Sequence, residues 1–490
     1  IRDRSIIAKI PKEVTHVTET LEKAGFEAYL VGGCVRDLIL ERSPKDWDVT
    51  TNATPEEIIP LFEETFYEND YGTVGIVQKD VSHETLKVIE VTPYRLEGTY
   101  TDFRRPDSVA FSTKIEDDLK RRDFTFNALA LNSKGQLIDL YKGQDDLHSK
   151  TIRTVGDPNE RFGEDALRML RAIRIHAELG FMISHETQKA IENNAHLLEK
   201  IAKERIRDEF VRIVMSDHPA EAVEIAYCMG LLKYITPELE KAIGIEQNKA
   251  HAFDVWTHLL KSLQHSADKK YPLHVRLSAL FHDISKPETR RKGENGEWTF
   301  YGHEVVGSRV TKKILENLKF SREIIDLVTT LVRWHMFFSD TEQITHSAVR
   351  RIVAKVGKDH IWDLMNVRIC DRIGTGRPKE NPYRLRKYKS MVEEVMSDPI
   401  SVGMLKVDGN ILIQNKVEAG RRMGYILHAL LEEVLEDPKL NTEEYLLKKS
   451  LELNKLSDID LVKIGESGKE KKEIFEEEKT KEIRKKHHVE

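Results

Sequence analysis

The residue types best suited to chemistry stand near the start of the chain, in Tyr29-Leu-Val-Gly-Gly-Cys-Val-Arg-Asp37 and, nine residues later, Asp46-Trp-Asp48. On a strand, aspartates two apart point to the same face. Carboxylates so placed repel unless a cation lies between them, and an all-oxygen donor set suits Mg²⁺, which takes one or two protein carboxylates along with substrate phosphates. Asp46 and Asp48 are the expected metal seat; a solvated turn is the plainer alternative. Gly32 and Gly33 lie where an apolar strand, Ala28 to Val31, gives way to a helix start at Val35. Such a turn offers backbone N–H groups and a helix dipole to a polyphosphate, with Arg36 as a fixed cation and Asp37 beside it. Alone, a Gly-Gly turn reads as a tight bend into a packing helix. The neighbouring acids favour the phosphate cradle.

Further along, the stretch from Leu86 to Thr92 alternates as a strand and puts Glu90 on the face opposite Ile89 and Val91. Glu90 is the candidate third catalytic acid, able to help hold a second metal or accept the attacking proton; a merely exposed sheet glutamate is the other reading. The segment Lys120-Arg-Arg-Asp-Phe-Thr-Phe-Asn-Ala128 packs three cations before an amphipathic stretch. A helix is expected over 154–179, carrying Glu164-Asp165, Arg168, Arg171 and Arg174. There Asp165 and Arg168 would share a face, with Glu164 supporting Arg168. A carboxylate beside a guanidinium can match the edge of a base: cytosine and adenine present an exocyclic amino donor where uracil and guanine present a carbonyl. Asp165 as acceptor and Arg168 as donor would select C and A without a template. A surface salt-bridged helix is the alternative. Arg174 falls about half a turn from Asp165 in a straight helix, so it would need a phosphate contact or a helix irregularity.

These motifs, Gly32-Gly-Cys-Val-Arg-Asp37 with Asp46-x-Asp48, Arg121-Arg-Asp-Phe-Thr-Phe-Asn-Ala128 and Gly163-Glu-Asp-Ala-Leu-Arg168, together resemble the bacterial class II tRNA nucleotidyltransferases, that is, the CCA-adding enzymes and their poly(A) polymerase relatives. The likeness spans about the first 245 residues. It implies nucleotide contact for Arg122, a role for Asp123 and Asn127 in shaping the sugar and phosphate site, and nucleotide binding for Arg171 and Arg174. It also implies that the polar segment from Glu97 to Glu116, with Tyr100-Thr-Asp-Phe-Arg-Arg-Pro-Asp107, is a mobile loop that helps the enzyme change from adding C to adding A. Farther on, His258, His282-Asp283, His303, His335 and Asp371 resemble the ligand order of HD-type metal phosphohydrolases. The four expected ligands there are His258, His282, Asp283 and Asp371, with a divalent transition metal or Mg²⁺ as the ion. Some CCA-adding enzymes with this domain show phosphatase and cyclic phosphodiesterase activities, and the resemblance implies the same here.

The elements that must position these residues form an α/β nucleotidyltransferase head, a small mixed sheet with helices, followed by an all-α neck, an HD-type body and tail domains. The expected boundaries are 1–150 for the head, 151–245 for the neck, 246–375 for the HD-type domain, 376–465 for a tRNA-binding helical tail and 466–490 for a charged, disordered or solvated tail. Within the tail, Arg384-Leu-Arg-Lys-Tyr-Lys389 is a dense basic run suited to an RNA backbone or to a solvated face. The net charge of −6 means that RNA must be held by local basic surfaces. Cys34, Cys228 and Cys370 have no metal or redox spacing and fit a reducing compartment. With no membrane-length apolar run, a cytoplasmic protein is expected. The function expected is template-independent addition of CCA to the 3′ end of tRNA from CTP and ATP, with two Mg²⁺ ions. The rivals are an A-adding enzyme, a poly(A) polymerase, and an HD phosphohydrolase whose head only binds RNA. No Arg/Lys-rich signature follows the second carboxylate as it does in poly(A) polymerases.

Overall fold

Short alternating apolar runs broken by Gly and Pro build a sheet in the first part of the chain; longer amphipathic runs build helices in the rest. The computed structural model describes residues 4–68, 72–97, 109–248, 251–337 and 344–466. The expected loop at Tyr100–Asp107 and the charged run 467–490 lie outside them. The chain divides into two compact units, residues 1–235 and 236–490.

In the first unit, strands β1 (Ala28–Val31), β2 (Asp48–Thr51), β3 (Thr65–Glu68), β4 (Thr73–Val77) and β5 (Val88–Pro93) come first. A separate ribbon follows, β6 (Arg95–Glu97) with β7 (Val109–Phe111), and then β8 (Leu129–Asn132) and β9 (Leu137–Asp139). The main sheet has seven strands in the order β3-β4-β5-β2-β1-β8-β9. Its parallel pair is β2 and β5, in a register that sets Asp48 opposite Glu90. The Lys12–Lys23 helix leads into β1, burying Val14, Val17 and Leu21.

Several expectations change here. The pattern Thr54-Pro-Glu-Glu57, a capping hydroxyl with Pro and acids in the first turn, predicts a helix running to about Phe66, and the helix does start there, with a capping box between Thr54 and Glu57 and Pro55 in the first turn. It runs only to Ile58 and ends in a 3₁₀ turn containing Pro60, whose missing N–H and ring clash stop helix growth. Thr65–Glu68, rich in β-branched and aromatic residues, becomes the sheet's edge strand. There the Phe66 ring covers Gly75 so closely that a Cβ at Gly75 would collide with it.

The helix expected over 154–179 is two helices, Pro158–Glu164 and Leu167–Leu179, with Asp165 between them in extended backbone (φ −138°, ψ 104°). Gly163 weakens the end of the first helix, and the Asp165 carboxylate accepts a hydrogen bond from Leu167 N at 3.0 Å, a local turn that competes with helix continuation. The Lys203–Val214 helix packs against the second of the two. The neck is nearly all helical; Thr151–Ile152 pairs with Met182–Ile183 as a short parallel ladder.

Among its described residues, the second unit is helical apart from a hairpin of Arg291–Lys292 with Trp298–Thr299. Helices Val255–Asp268, Leu273–Phe281 and Ile361–Gly374 pack together, and the close approach of the first and third depends on Gly374. A Cβ there would strike Ser262 and come within 2.8 Å of the His258 carbonyl oxygen. The expected break at 375/376 is not a break in the core. Leu385, Tyr388, Val392 and Val395 of the Tyr383–Val395 helix share one apolar cluster with Val275, Leu331 and Leu364. A second cluster, built on Leu412, Ile426, Leu430 and Leu446, serves the helices after 400. No helix among the described residues is long and apolar enough to cross a membrane.

Candidate active site and metal centre

One cleft in the first unit, about 1080 Å³, is lined by the expected catalytic and nucleotide-binding residues of the head and neck: Gly32, Gly33, Arg36, Asp37, Asp46, Asp48, Glu90, Arg122, Asp123, Asn127, Asp165, Arg168, Arg171 and Arg174.

At its acidic end, Asp48 opens β2, while Asp46 sits in the bend just before the strand and is not part of it. The alternation still holds through the pair, because Trp47 between them is buried at 4 % exposure and its carbonyl accepts from Glu90 N at 3.3 Å. Burial raises the Asp48 pKa and the charge of Asp46 raises it further, against the pull of Arg122. The carboxylate thus lacks enough positive charge around it, which is the environment a divalent cation between oxygen donors relieves. Glu90, opposite Asp48 on β5, completes a set of three carboxylates on this edge. The donor set therefore fits a hard divalent ion.

Beside the acids, Gly32 takes a left-handed conformation (φ 80°) at the cap of the Gly33–Ile39 helix, and a Cβ there would lie 3.2 Å from Arg122 Nη1. Glycine lets the strand turn and lets the guanidinium close over it. From this turn a line of charged and polar groups runs into the neck. Arg36 Nε donates to Asp37 Oδ1 at 2.9 Å, and Arg36 Nη1 donates to Asn127 Oδ1 at 3.1 Å. Asn127 Nδ2 donates to Asp123 Oδ1 at 3.2 Å, and Arg171 Nη1 donates to Asp123 Oδ2 at 3.2 Å. Arg174 ends the line on Glu209 at 3.3 Å. Burial pushes the Asp123 pKa up, but Arg171 and Arg168 outweigh it and hold the group below its ordinary value.

Asp165 and Arg168 line the same cleft but not as two points on one helical face. Asp165 Oδ2 pairs with Arg205 Nη2 at 3.1 Å. Arg168, only 7 % exposed, donates to Glu164 at 2.8 Å, to the Arg161 carbonyl at 3.3 Å and to the Arg121 carbonyl at 3.1 Å. The expected support of Arg168 by Glu164 is present; the expected partnership of Asp165 with Arg168 is replaced by Asp165 with Arg205.

Three residues were not legible from the motifs. Asp118, fully buried, receives Arg121 at 2.9 Å and Arg122 at 3.1 Å and so aims the basic pair. Arg205 and Glu209, both on the Lys203–Val214 helix, hold Asp165 and Arg174. The signal in the sequence is the charged run Lys203-Glu-Arg-Ile-Arg-Asp-Glu-Phe210, which predicts a charged helix bracing its neighbours and does not say which residues it pairs with.

In the second unit, His258, His282, Asp283 and Asp371 converge, all buried, with ligand atoms within 4.8 Å of one another; Asp283, His303 and His335 form an adjoining group. His282 Nδ1 is 2.7 Å from the Ala279 carbonyl, which turns its Nε2 inward, 2.9 Å from His258 Nε2. Asp371 Oδ1 lies 3.1 Å from His258 Nε2 and 3.2 Å from His282 Nε2. Burial opposes charge on His282, yet Asp283 and Asp371 drive its pKa up to about 10. The cluster demands positive charge where two imidazole nitrogens face each other, and a metal ion meets that demand. The donors do not select which metal.

Residues 28–153 match the family described as the poly A polymerase head domain, 180–243 the probable RNA- and SrmB-binding site of polymerase A, and 250–373 the HD domain. The chain is 32 % identical over 434 residues to the CCA-adding enzyme of Lactobacillus helveticus, across 88 % of this chain and 94 % of that protein. This chain belongs to the CCA-adding enzymes. It is also 33 % identical over 451 residues to the CCA-adding enzyme of Lactiplantibacillus plantarum, across 90 % of this chain and 97 % of the relative. Among solved structures, the Bacillus stearothermophilus CCA-adding enzyme in complex with CTP superposes with a TM-score of 0.67 at 27 % identity, across 90 % of this chain and 97 % of that one. The Thermotoga maritima CCA-adding enzyme complexed with tRNA shares the fold, with a TM-score of 0.54 at 18 % identity, across 91 % of this chain and 97 % of that one.

Proposed function

We propose that this protein adds C, C and A to the 3′ end of tRNA from CTP and ATP, without a template, in the cytoplasm. The observation that carries the reading is one cleft that joins a three-carboxylate edge to a line of guanidinium groups running into the neck, with Asp165 also on its wall, in a chain of the CCA-adding family. Asp46 and Asp48 hold Mg²⁺, and the chemistry those ions supply when bound is a lower pKa for the terminal ribose hydroxyl and charge neutralisation of departing pyrophosphate. Glu90 helps hold the second ion or accepts the hydroxyl proton. Gly32 and Gly33 let the triphosphate approach the backbone, while Arg36 and Arg122 grip its oxygens and Asp37 holds Arg36 in place. Asp123 and Asn127 shape the sugar pocket. Asp165 accepts from the exocyclic amino group of C or A, Arg168 donates to the neighbouring ring acceptor, and Arg205 keeps Asp165 in register. Arg171 and Arg174 supply positive charge to the phosphates.

Incubation with tRNA lacking its CCA end and labelled CTP or ATP should extend the product by a defined few nucleotides, and Asp165→Ala should admit U or G with metal affinity unchanged. Long A tails, or A added only to tRNA already ending in CC, would support a rival. The buried His258, His282, Asp283 and Asp371 cluster favours a second reading alongside the first, a metal-dependent phosphohydrolase activity in the HD domain. Release of phosphate from a nucleotide 2′-phosphate should disappear in Asp283→Ala while CCA addition stays within about twofold. No phosphate release with any divalent metal would remove this second activity.

A further inference from the structure

The two helices that carry His282 and Asp371 bring a second group of metal-ligating side chains together two turns away. His274 lies eight residues before His282 at the start of the Leu273–Phe281 helix, and Asp363 lies eight residues before Asp371 in the first turn of the Ile361–Gly374 helix. At 1.5 Å per residue, the two levels are separated by about 12 Å along the helix axes. At each level a histidine of one helix meets an aspartate of the other. His282 Nε2 is 3.2 Å from Asp371 Oδ1, and His274 Nε2 is 2.7 Å from Asp363 Oδ2. His360, the cap residue of the second helix, brings its Nδ1 to 3.0 Å from that same Asp363 oxygen. The two imidazole rings meet edge to face, with centroids 5.7 Å apart, so that both nitrogens converge on one point.

We propose that His274, His360 and Asp363 form a second metal site, separate from the HD centre, which takes a divalent transition ion of the zinc class. Two imidazole nitrogens and one carboxylate oxygen suit Zn²⁺, Co²⁺ or Ni²⁺, whereas Mg²⁺ and Ca²⁺ prefer oxygen alone. In a tetrahedral zinc site, donors at about 2.0 Å from the ion stand roughly 3.3 Å from one another. To reach it, the observed 2.7 and 3.0 Å separations need to open by about 0.6 and 0.3 Å. The side chains of His274 and Asp363 are 18 % and 19 % exposed and that of His360 is 40 % exposed, so the site is walled on one side and open to solvent on the other. An ion there ties the first turns of the two helices whose far ends hold the HD ligands. Three protein donors leave one coordination position, on the solvent side, for water.

The test is zinc stoichiometry on the full chain, by equilibrium dialysis and metal analysis after chelator stripping, with Zn²⁺ alone as the probe. The unmodified protein should bind one more equivalent than His274→Gln, which removes the ligand but can keep a hydrogen bond to Asp363. The Asp283→Ala protein, with its HD centre impaired, should retain an equivalent that His360→Ala weakens at least tenfold. Because His360 lies at a helix boundary, a far-ultraviolet spectrum matching the parent verifies that the variant is folded. Co²⁺ in the Asp283→Ala protein should show the intense visible bands of a four-coordinate site, lost with His274→Gln. The proposal is overturned if zinc stoichiometry is the same with and without His274 and His360, which would leave the triad as an ion pair alone. It is equally overturned if Asp283→Ala abolishes all zinc binding in a folded protein.

Discussion

Asp118 never touches the cleft's opening, yet it sets where two of its cations point. Its carboxylate is buried, and burial alone would raise its pKa; Arg122 and Arg121 more than reverse this and hold it below the ordinary value. A carboxylate with a depressed folded pKa contributes stability that is fully present above the unfolded value of about 3.9 and is lost as pH falls through the folded value. Asp118→Asn should therefore lower stability by about 3 kcal/mol at neutral pH, the scale for breaking a buried pair. The gap between variant and parent in urea-unfolding free energy should stay constant from about pH 8 to 5 and close below about pH 4. A gap that widened on acidification would contradict the ion-pair assignment. The same substitution should raise the KM for nucleotide, since Arg122 would lose the partner that orients it over Gly32.

At the scale of elements, what could be read from the chain was what short spacing determines. The turn at Gly32, the pair Asp46 and Asp48 and the face of Glu90 all follow from a few consecutive residues, and all meet in one cleft. The placement of Asp118, Arg205 and Glu209 depends on which helix packs on which, and local periodicity carries no such information. The break at Asp165 was missed because apolar periodicity continues across it, while a single side-chain hydrogen bond to Leu167 N decides the backbone. The loss of helix after Ile58 was visible in Pro60, but only the pairing with β4 turns Thr65–Glu68 into a strand. Gly374 makes the point in reverse: nothing around it in sequence announces a close approach, yet the Val255–Asp268 helix allows no Cβ there. Gly374→Ala should cost about 1–3 kcal/mol, the range for overpacking, and should displace His258 enough to weaken metal binding at the HD centre by at least about tenfold. Thermal unfolding and zinc dialysis measure the two effects, and an alanine accepted at full stability would show that the helices slide apart easily.

Across the whole molecule, a net charge of −6 has to coexist with a polyanionic substrate. The Tyr383–Val395 helix shows one local solution. It turns Leu385 and Tyr388 into the core and leaves Arg384, Arg386 and Lys387 exposed. If this face meets the tRNA backbone, replacing all three cations by Ala should reduce the slope of log affinity against log salt by about 2 to 3. An unchanged slope in a filter-binding titration would mark the face as merely solvated. The second unit also contains a constraint of another kind. His274 precedes His282, and Asp363 precedes Asp371, by the same eight residues on neighbouring helices. Adding or deleting one residue between the members of either pair would swing one level by about 100° relative to the other. Neither cluster can drift in register without dismantling its twin, so the lengths of these two segments are far less free to vary than their residue types.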